Sequence, residues 1–396
     1  AADVIRGAQR PLLVAGGGVR YSGAHTELAR FAELHGIPVV ETVAGKASLA
    51  VGHPMYGGPV GVTGCDAANN LAAAADVVIS VGSRLQDFTT GSWTVFANPD
   101  VRFVGINAAG FDAIKHLSHP VVGDAQVCLT ELSTLLDGWS AAPDWSAQAG
   151  REAAGYHEYI DSIASPTALG PNGLITYAQV VGAVDRAQQP GDYVLTAAGG
   201  FPGELNNGWR ARGLDSFDCE YGFSCMGYEI SGAWGAKIAR PDGEVIAFVG
   251  DGSYLMMNSD LYGSVLAGHK MIVVVCDNGG YAVINRLQVN QGGVGFNNML
   301  AHTRHRELVR VDFAAHAAAM GCISEHVDSV ADFEAALVRA RANDRTTVIT
   351  LATDPDGWTG GGAFWEVGVP EVSDRAEVVA AKQAMIEGKK AQRIGV

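Results

Sequence analysis

Basic residues are scarce in this sequence. Its 396 residues include 27 Lys and Arg against 42 Asp and Glu, which gives a formal net charge of −15. A nucleic-acid-binding protein needs a basic stripe or patch, so this balance argues against that class of partner. It still allows a small anionic ligand, because the N-terminus of a helix and a bound cation both supply local positive potential.

Cysteine is sparse as well, and long apolar runs are missing. The six cysteines are scattered without a C-x-x-C pair, so we expect reduced, mostly buried thiols, no zinc site and a cytoplasmic location. No stretch has the roughly 18 uninterrupted apolar residues of a membrane span, which predicts no membrane association. The opening segment, AADVIRGAQRP, lacks both an initiator Met and the apolar core of a signal peptide.

Glycine and short apolar runs are abundant. The chain has 51 glycines and a hydrophobic content of 48%. Apolar runs such as PLLVA and DVVISV alternate with segments of helical period over residues 1–140, and the alternation restarts at residue 172. This pattern predicts an α/β protein with two doubly wound parallel-sheet, Rossmann-like domains at 1–140 and 172–396. Residues 141–171 are expected to form a partly helical surface linker.

The first glycine-rich turn, AGGGVRYSG, contains part of a dinucleotide-binding fingerprint. Gly16 and Gly18 fit G-x-G, but Tyr21 occupies the position of the third glycine. The acidic residue expected roughly 20 residues later is also missing. We therefore interpret this segment as a plain strand-to-helix turn and predict that the first domain binds no nicotinamide or flavin.

An acidic residue, Asp251, stands between two glycines directly after the apolar run VIAFV. At the end of a strand, Gly252 would let a ligand approach the backbone, and Ser253 would open a helix whose free N–H groups face a phosphate. A carboxylate beside phosphates is favourable when it holds a divalent cation such as Mg²⁺, which takes one or two carboxylates plus phosphate oxygens. Asn278, at the end of the next apolar run, offers an amide oxygen, and Gly280 offers a backbone carbonyl. We predict a Mg²⁺ site at Asp251, Asn278 and Gly280.

GDG, an apolar strand and a terminal Asn together resemble the diphosphate-binding signature of thiamine-diphosphate enzymes. The family carries two Asn at the strand end; here Asp277 replaces the first, and the metal-ligating second, Asn278, is intact. The resemblance implies thiamine diphosphate and Mg²⁺ as cofactors. It also implies that Met226 supports the bent V shape of thiamine. The turn in TAAGGFPGE is implied to close over the diphosphate, with Gly199, Gly200 and Phe201.

Further segments, SRLQDFTTGSW, VETVAGKASL, AAGGFPGELNNGW and DNGGYAVINRLQ, are similar to the trihydroxycyclohexane-dione hydrolases of inositol catabolism. This resemblance runs along essentially the whole chain. It implies a hydrolase that opens a small cyclic 1,2-dione to a deoxyhexuronate and assembles as a homo-oligomer, a dimer or tetramer. Tyr281, counted with the cofactor-binding residues, lies just beyond the metal loop with Asn285 and Gln288, and all three are expected on the substrate side.

In this family an N-terminal pyrimidine-binding domain supplies the Glu that activates the cofactor. The sequence begins where the central domain would begin, so we expect this Glu to be absent and the chain to be inactive by itself. No catalytic residue is assigned within the chain. Two alternatives remain: another thiamine-diphosphate enzyme, such as an acetolactate synthase or a 2-oxoacid decarboxylase, and a non-catalytic cofactor-binding fragment or subunit.

Overall fold

Two parallel six-stranded sheets form the framework of the protein. A computed structural model describes residues 1–393. The strands are β1 Pro11–Ala15, β2 Val39–Glu41, β3 Tyr56–Pro59, β4 Val77–Val81, β5 Arg102–Asn107, β6 His119–Val122, β7 Tyr193–Thr196, β8 Phe217–Cys219, β9 Val245–Gly250, β10 Ile272–Asp277, β11 Ile323–His326 and β12 Thr347–Ala352. Their order is β3-β2-β1-β4-β5-β6 in the first sheet and β11-β12-β10-β9-β7-β8 in the second. The predicted α/β class with two doubly wound sheets is confirmed.

Helices connect the strands and flank the sheets. The α-helices are α1 Ala2–Arg6, α2 Gly17–Tyr21, α3 His25–His35, α4 Asp66–Ala74, α5 Asp87–Thr90, α6 Gly110–Ile114, α7 Ala125–Leu135, α8 Pro143–Ile163, α9 Tyr177–Arg186, α10 Phe201–Gly208, α11 Tyr228–Ala239, α12 Asp251–Met256, α13 Ser259–Ala267, α14 Ala282–Asn290, α15 Phe313–Ala319, α16 Val330–Ala342 and α17 Ala376–Lys389. Short 3₁₀ turns cover Val43–Gly45, Lys115–Leu117 and Leu300–His302. Within residues 1–393, no helix combines the length and the apolar character that a bilayer crossing requires.

Both faces of the second sheet are covered, which explains its uninterrupted apolar strands. Along β9, Ile246 and Phe248 point into a core shared with α9 and α16, whereas Ala247 and Val249 point into a core shared with α11 and α15. Alternate residues of one strand therefore stabilise two different layers. The carboxyl ends of β9 and β10 then lie side by side, because Gly250 pairs with Cys276 in parallel register.

Residues 141–171 connect the two sheets, and most of their length is helical. The 21-residue helix α8 begins at Pro143 and buries one face, which includes Trp145, Ala149 and Tyr156. The indole N–H of Trp145 donates a 2.7 Å hydrogen bond to the carbonyl of Pro11. This segment therefore packs one face of α8 onto the first sheet and leaves the opposite face exposed, and its role as a linker stays a prediction.

The two sheets also contact each other directly. Val43 and Ala47, in the loop after β2, belong to the apolar core of the second sheet. Arg20 of α2 forms ion pairs with Asp215 at 2.6 Å and Asp218 at 3.1 Å. These contacts hold α2 and the loop after β2 against the second sheet at its edge strand, β8.

After β12 the chain crosses from the second sheet to the first in an extended path. This crossing segment, residues 354–375, contains neither helix nor strand. The indole N–H of Trp365 donates to Asp87 Oδ2 at 3.0 Å, and the backbone N–H of Glu366 donates to Ser92 Oγ at 2.9 Å. The crossing segment thereby ties both sheets together and covers the gap between them.

The glycine-rich turn after β1 has a packing role. A Cβ atom on Gly16 would lie 2.5 Å from the carbonyl oxygen of Gly82, and one on Gly18 would lie 2.5 Å from the Gly82 Cα. Two backbone turns thus touch where side chains would separate them. This close packing by itself explains why the turn contains glycines, so no bound nucleotide is needed to explain them. That the first domain binds no nicotinamide or flavin stays a prediction.

We predict that Gly82→Ala destabilises the protein more than Gly23→Ala. Both glycines have positive φ, +61° and +65°, so both substitutions incur left-handed strain of about 1–2 kcal/mol. A Cβ on Gly82 would also lie 2.4 Å from the Gly18 Cα, whereas Gly23 has no atom within 4 Å. Overpacking against backbone should add about 1–3 kcal/mol to the loss. Urea unfolding measures the difference, and equal losses would contradict the packing role.

Candidate functional site

A cavity of about 750 Å³ lies at the junction of the two sheets. It is bounded by the carboxyl ends of β9 and β10, by α14, by the crossing segment and by the loop before α5. Ligands of open α/β sheets bind at such carboxyl edges. Every residue predicted to bind the cofactor or metal lines this cavity: Gly199, Gly200, Phe201, Met226, Asp251, Gly252, Ser253, Asn278, Gly280 and Tyr281.

Asp251 is the first residue of α12 and is 5% exposed. Burial raises the pKa of its carboxyl to about 7, and the charge of Asp277 acts in the same direction. Its Oδ1 atom is buried without a hydrogen-bond partner in residues 1–393. An unpaired buried carboxylate is costly, and a bound cation would remove that cost.

Asn278 supplies a second free oxygen at the same edge. It directly follows β10, and its backbone N–H is close enough to Asp251 to lower the pKa of that carboxyl. The side-chain amide donates to the hydroxyl of Tyr177 at 2.7 Å, which leaves Oδ1 buried and without a partner among the described residues. Carboxylate and amide oxygens are hard ligands of the kind that Mg²⁺ prefers.

Gly280 lies in the loop that follows Asn278. Its φ is +146°, and a Cβ atom there would lie 2.4 Å from the carbonyl oxygen of Asn298. Glycine is thus required where this loop pairs with Met299. In the described part of the chain, no three His, Cys, Asp or Glu side chains converge as a metal-binding group. A single carboxylate with an amide and a backbone carbonyl fits a cation that also binds a ligand's phosphates.

The candidate diphosphate and thiamine residues lie next to one another. A Cβ atom on Gly252 would lie 2.5 Å from the ring of Tyr281 and 3.5 Å from the methyl group of Met226. On the other wall, a Cβ atom on Gly200 would lie 2.5 Å from the ring of Trp358. Both glycines therefore let an aromatic ring pack directly against the backbone, where a Cβ atom would clash with the ring.

Phe201 supports the site by packing against Tyr177. Its ring is 1% exposed and stacks on Tyr177, with 4.2 Å between ring centroids. The Tyr177 hydroxyl is the group that holds the Asn278 amide. Although Phe201 borders the cavity, its ring serves mainly to position Tyr177.

Glu229, which sequence reasoning missed, links several of the predicted loops. It is fully buried, and this burial raises the pKa of its carboxyl. One carboxylate oxygen accepts from the N–H of Gly227 at 2.7 Å, and the other accepts from the N–H of Ala198 at 3.2 Å. It therefore positions both the Gly199 turn and the Met226 segment. An acidic residue in the otherwise small and apolar run SCMGYEISGAWGA was the available signal.

Helix α14 presents a different face to the cavity than expected. Tyr281 lines the cavity, but Asn285 and Gln288 do not. The amide oxygen of Gln288 accepts a hydrogen bond from Asn298, so this side chain braces the following loop. Arg286 of the same helix lines the cavity instead.

Two family models match the chain. The central domain of thiamine pyrophosphate enzymes matches residues 1–132, and the C-terminal domain of these enzymes, which binds thiamine pyrophosphate (thiamine diphosphate), matches residues 197–351. The two matches together span more than half of the chain. The chain therefore belongs to the thiamine pyrophosphate enzymes, and the predicted resemblance is confirmed.

Two similar proteins within this family carry the same name. The chain is 36% identical over 422 residues to a protein named 3D-(3,5/4)-trihydroxycyclohexane-1,2-dione hydrolase 1 from Bacillus cereus (strain ZK / E33L). The aligned region covers 98% of the chain and 64% of the relative. It is 35% identical over 403 residues to a hydrolase of the same name from Clostridium perfringens (strain 13 / Type A), with coverages of 94% and 63%. The chain thus spans a little under two thirds of the length of these relatives.

We predict that Glu229→Gln lowers the free energy of unfolding by about 1–3 kcal/mol, the usual cost of one unsatisfied buried donor. Glutamine has one acceptor oxygen, so its NH₂ group would face the N–H of either Gly227 or Ala198. Urea unfolding of the variant measures the loss. The exposed Glu33→Gln is the control and should change stability little; a similar loss in both variants would contradict the role given to Glu229.

Proposed function

We propose that the cavity holds thiamine diphosphate together with Mg²⁺. The main support for this proposal is that two buried oxygens without hydrogen-bond partners in residues 1–393, Asp251 Oδ1 and Asn278 Oδ1, lie at the ends of neighbouring strands. Two such oxygens at one edge are unfavourable without a cation and suitable with one. The match to a thiamine-pyrophosphate-binding domain supports the choice of cofactor.

In this proposal each wall of the cavity has one task. Asp251, Asn278 and the Gly280 carbonyl hold the cation. The backbone N–H groups at the start of α12, with Ser253, and the Gly199–Gly200 turn bind the diphosphate. Met226 supports the bent thiamine. When bound, thiamine diphosphate supplies a nucleophilic carbon for reactions at carbonyl groups, and the protein contributes its orientation and surroundings.

We further propose that the reaction is hydrolysis of a carbon–carbon bond in a cyclic 1,2-dione. The names of the relatives support a trihydroxycyclohexane-1,2-dione as the substrate. Water adds to one carbonyl carbon, and the bond between the two carbonyl carbons breaks. The product is then a linear deoxyhexuronate, with a carboxylate at one end and an aldehyde at the other.

The cavity carboxylates in residues 1–393 are already engaged. Asp87 accepts from the Trp365 indole, Glu204 accepts from both the N–H and the hydroxyl of Thr359, and Asp251 is the proposed metal ligand. A positioned acid or base typically contributes about 10²–10⁴-fold to a rate. We therefore propose that the activating carboxylate comes from outside these residues, as the resemblance to the family implies.

A homo-oligomer, a dimer or tetramer, is also proposed. Leu255, Met256, Met257 and Tyr262, in and after the helix α12 whose first residues line the cavity, are each about half exposed, with exposed fractions of 46–54%. An apolar surface of this kind usually marks an interaction site. A second copy of the chain on this surface would place another subunit close to Gly252.

Asp251→Ala should abolish most of the metal-dependent retention of thiamine diphosphate. Removing the carboxylate leaves the cation with an amide and a carbonyl, so we expect the cofactor affinity in Mg²⁺ to fall by about 10–100-fold, equivalent to about 1.5–3 kcal/mol. Calorimetry with thiamine diphosphate and Mg²⁺ measures the loss. Asp328→Ala, at a side chain that is 90% exposed, is the control. If Asp251→Ala binds thiamine diphosphate in Mg²⁺ as tightly as the wild-type protein does, Asp251 is not a metal ligand.

Product analysis tests the reaction. The 396-residue polypeptide alone should bind the cofactor without turnover, because its cavity carboxylates are engaged. Together with the part of the Clostridium perfringens relative that this chain does not span, it should convert the dione to a deoxyhexuronate and leave pyruvate unchanged. Acetolactate or acetaldehyde from pyruvate would favour the alternative thiamine-diphosphate enzymes. If the polypeptide binds the cofactor but shows no turnover, either alone or with the added part of the relative, a non-catalytic binding subunit is favoured. Full activity of the polypeptide alone would contradict the proposal that the activating carboxylate lies outside residues 1–393.

A further inference from the structure

Arg286 is the only Lys or Arg among the described residues that line the cavity. The other charged residues there are acidic: Asp87, Glu204 and Asp251. The Arg286 guanidinium lies 5.1 Å from the ring centroid of Trp358 and forms no ion pair or hydrogen bond with any residue in 1–393. Its five N–H donors therefore remain available to a ligand.

The position of this guanidinium is supported by a connected set of side chains. The Trp358 ring fills the space beside Gly200, where a Cβ atom would lie 2.5 Å away. The same ring meets Tyr177 edge to face, at 5.9 Å and 87°. Tyr177 in turn holds the amide of Asn278. Packing thus joins the proposed metal site to the surface on which Arg286 rests, and stacking restricts the motion of the guanidinium.

Glu204 does not account for the presence of Arg286. The N–H of Thr359 donates to one Glu204 oxygen at 3.0 Å, and its hydroxyl donates to the other at 2.5 Å. Burial raises the pKa of Glu204, and the positive charge of Arg286 opposes this shift without forming an ion pair. Both oxygens of Glu204 are satisfied by the crossing segment, so the guanidinium has no structural partner there.

We propose that Arg286 binds the carboxylate that forms when the dione ring opens, and that it is a specificity-determining residue of the site. This inference rests on the proposed reaction. The water oxygen forms a bond to one carbonyl carbon, and the bond between the carbonyl carbons breaks. The electron pair of that bond stays with the second carbon, which takes up a proton and becomes the aldehyde. The neutral substrate thereby gains an anionic end, and a guanidinium matches a carboxylate with two parallel hydrogen bonds.

Its position on α14 favours this partner over the diphosphate of the cofactor. Arg286 lies one turn, or about 6 Å, beyond Ala282 along the helix axis. It is therefore displaced from the metal loop towards the crossing segment, on the side where Asn290 and Gln291 line the cavity. The diphosphate already has the proposed cation and the start of α12 to balance its charge.

The test compares D-glucuronate with D-glucose as probes, because they differ in the group at one end, a carboxylate against a hydroxymethyl. Calorimetry uses the holoenzyme loaded with thiamine diphosphate and Mg²⁺. The wild-type protein should prefer glucuronate, and Arg286→Gln should weaken glucuronate binding by about 10–100-fold, the usual effect of losing charge-assisted hydrogen bonds. Glucose and cofactor affinities should stay unchanged. Arg286→Lys should be intermediate, since an ammonium is a single point charge. The exposed Arg345→Gln is the control.

Several results would overturn the proposal. No preference for glucuronate in the wild-type protein would do so, as would an undiminished preference in Arg286→Gln. Weaker cofactor binding in Arg286→Gln with unchanged glucuronate binding would assign the guanidinium to the diphosphate instead. A preference that depends on Arg286, in a wild-type holoenzyme that fails to turn over the dione even with the added part of the Clostridium perfringens relative, would support the carboxylate site and overturn the proposed reaction. The two failures are therefore distinguishable.

Discussion

The burial of one carboxylate governs the arrangement of the candidate site. Asp251 stands at the end of a central strand with a free, buried oxygen, and desolvation raises its pKa to about 7. Such a group destabilises the fold unless a cation accompanies it. The surrounding residues accommodate that requirement: Asn278 turns a second oxygen towards the same edge, Tyr177 holds the amide in place, and Gly252 lets the Tyr281 ring pack against the adjacent backbone.

Two glycine-rich turns at the ends of parallel strands serve different purposes in this protein. In the first sheet, Gly16 and Gly18 let their turn pack directly against the backbone at Gly82. In the second sheet, Gly252 faces the cavity beside Asp251. In the first case the missing Cβ lets backbone pack on backbone, and in the second it lets the ring of Tyr281 pack beside Asp251 at the edge of the cavity.

The cavity depends on the junction of the two sheets. Its floor belongs to the second sheet, whereas the loop before α5 and the crossing segment form the opposite walls. Trp365 bonds to Asp87 across this junction, and Trp358 lies against the Gly200 turn. A change in the relative position of the sheets would therefore alter the site even if each sheet kept its own core.

The sequence by itself determined the class of fold and the centre of the site. Strands buried on both faces must be apolar throughout, and parallel strands end at one edge, so Asp251 and Asn278 could be predicted to meet. Tertiary structure decided the rest. The phase of α14 turned Arg286 towards the cavity and Gln288 away from it, because packing sets which face of a helix is covered. Trp358 reaches Arg286 from an extended segment without periodicity, and no local pattern encodes a contact between residues so distant in the chain.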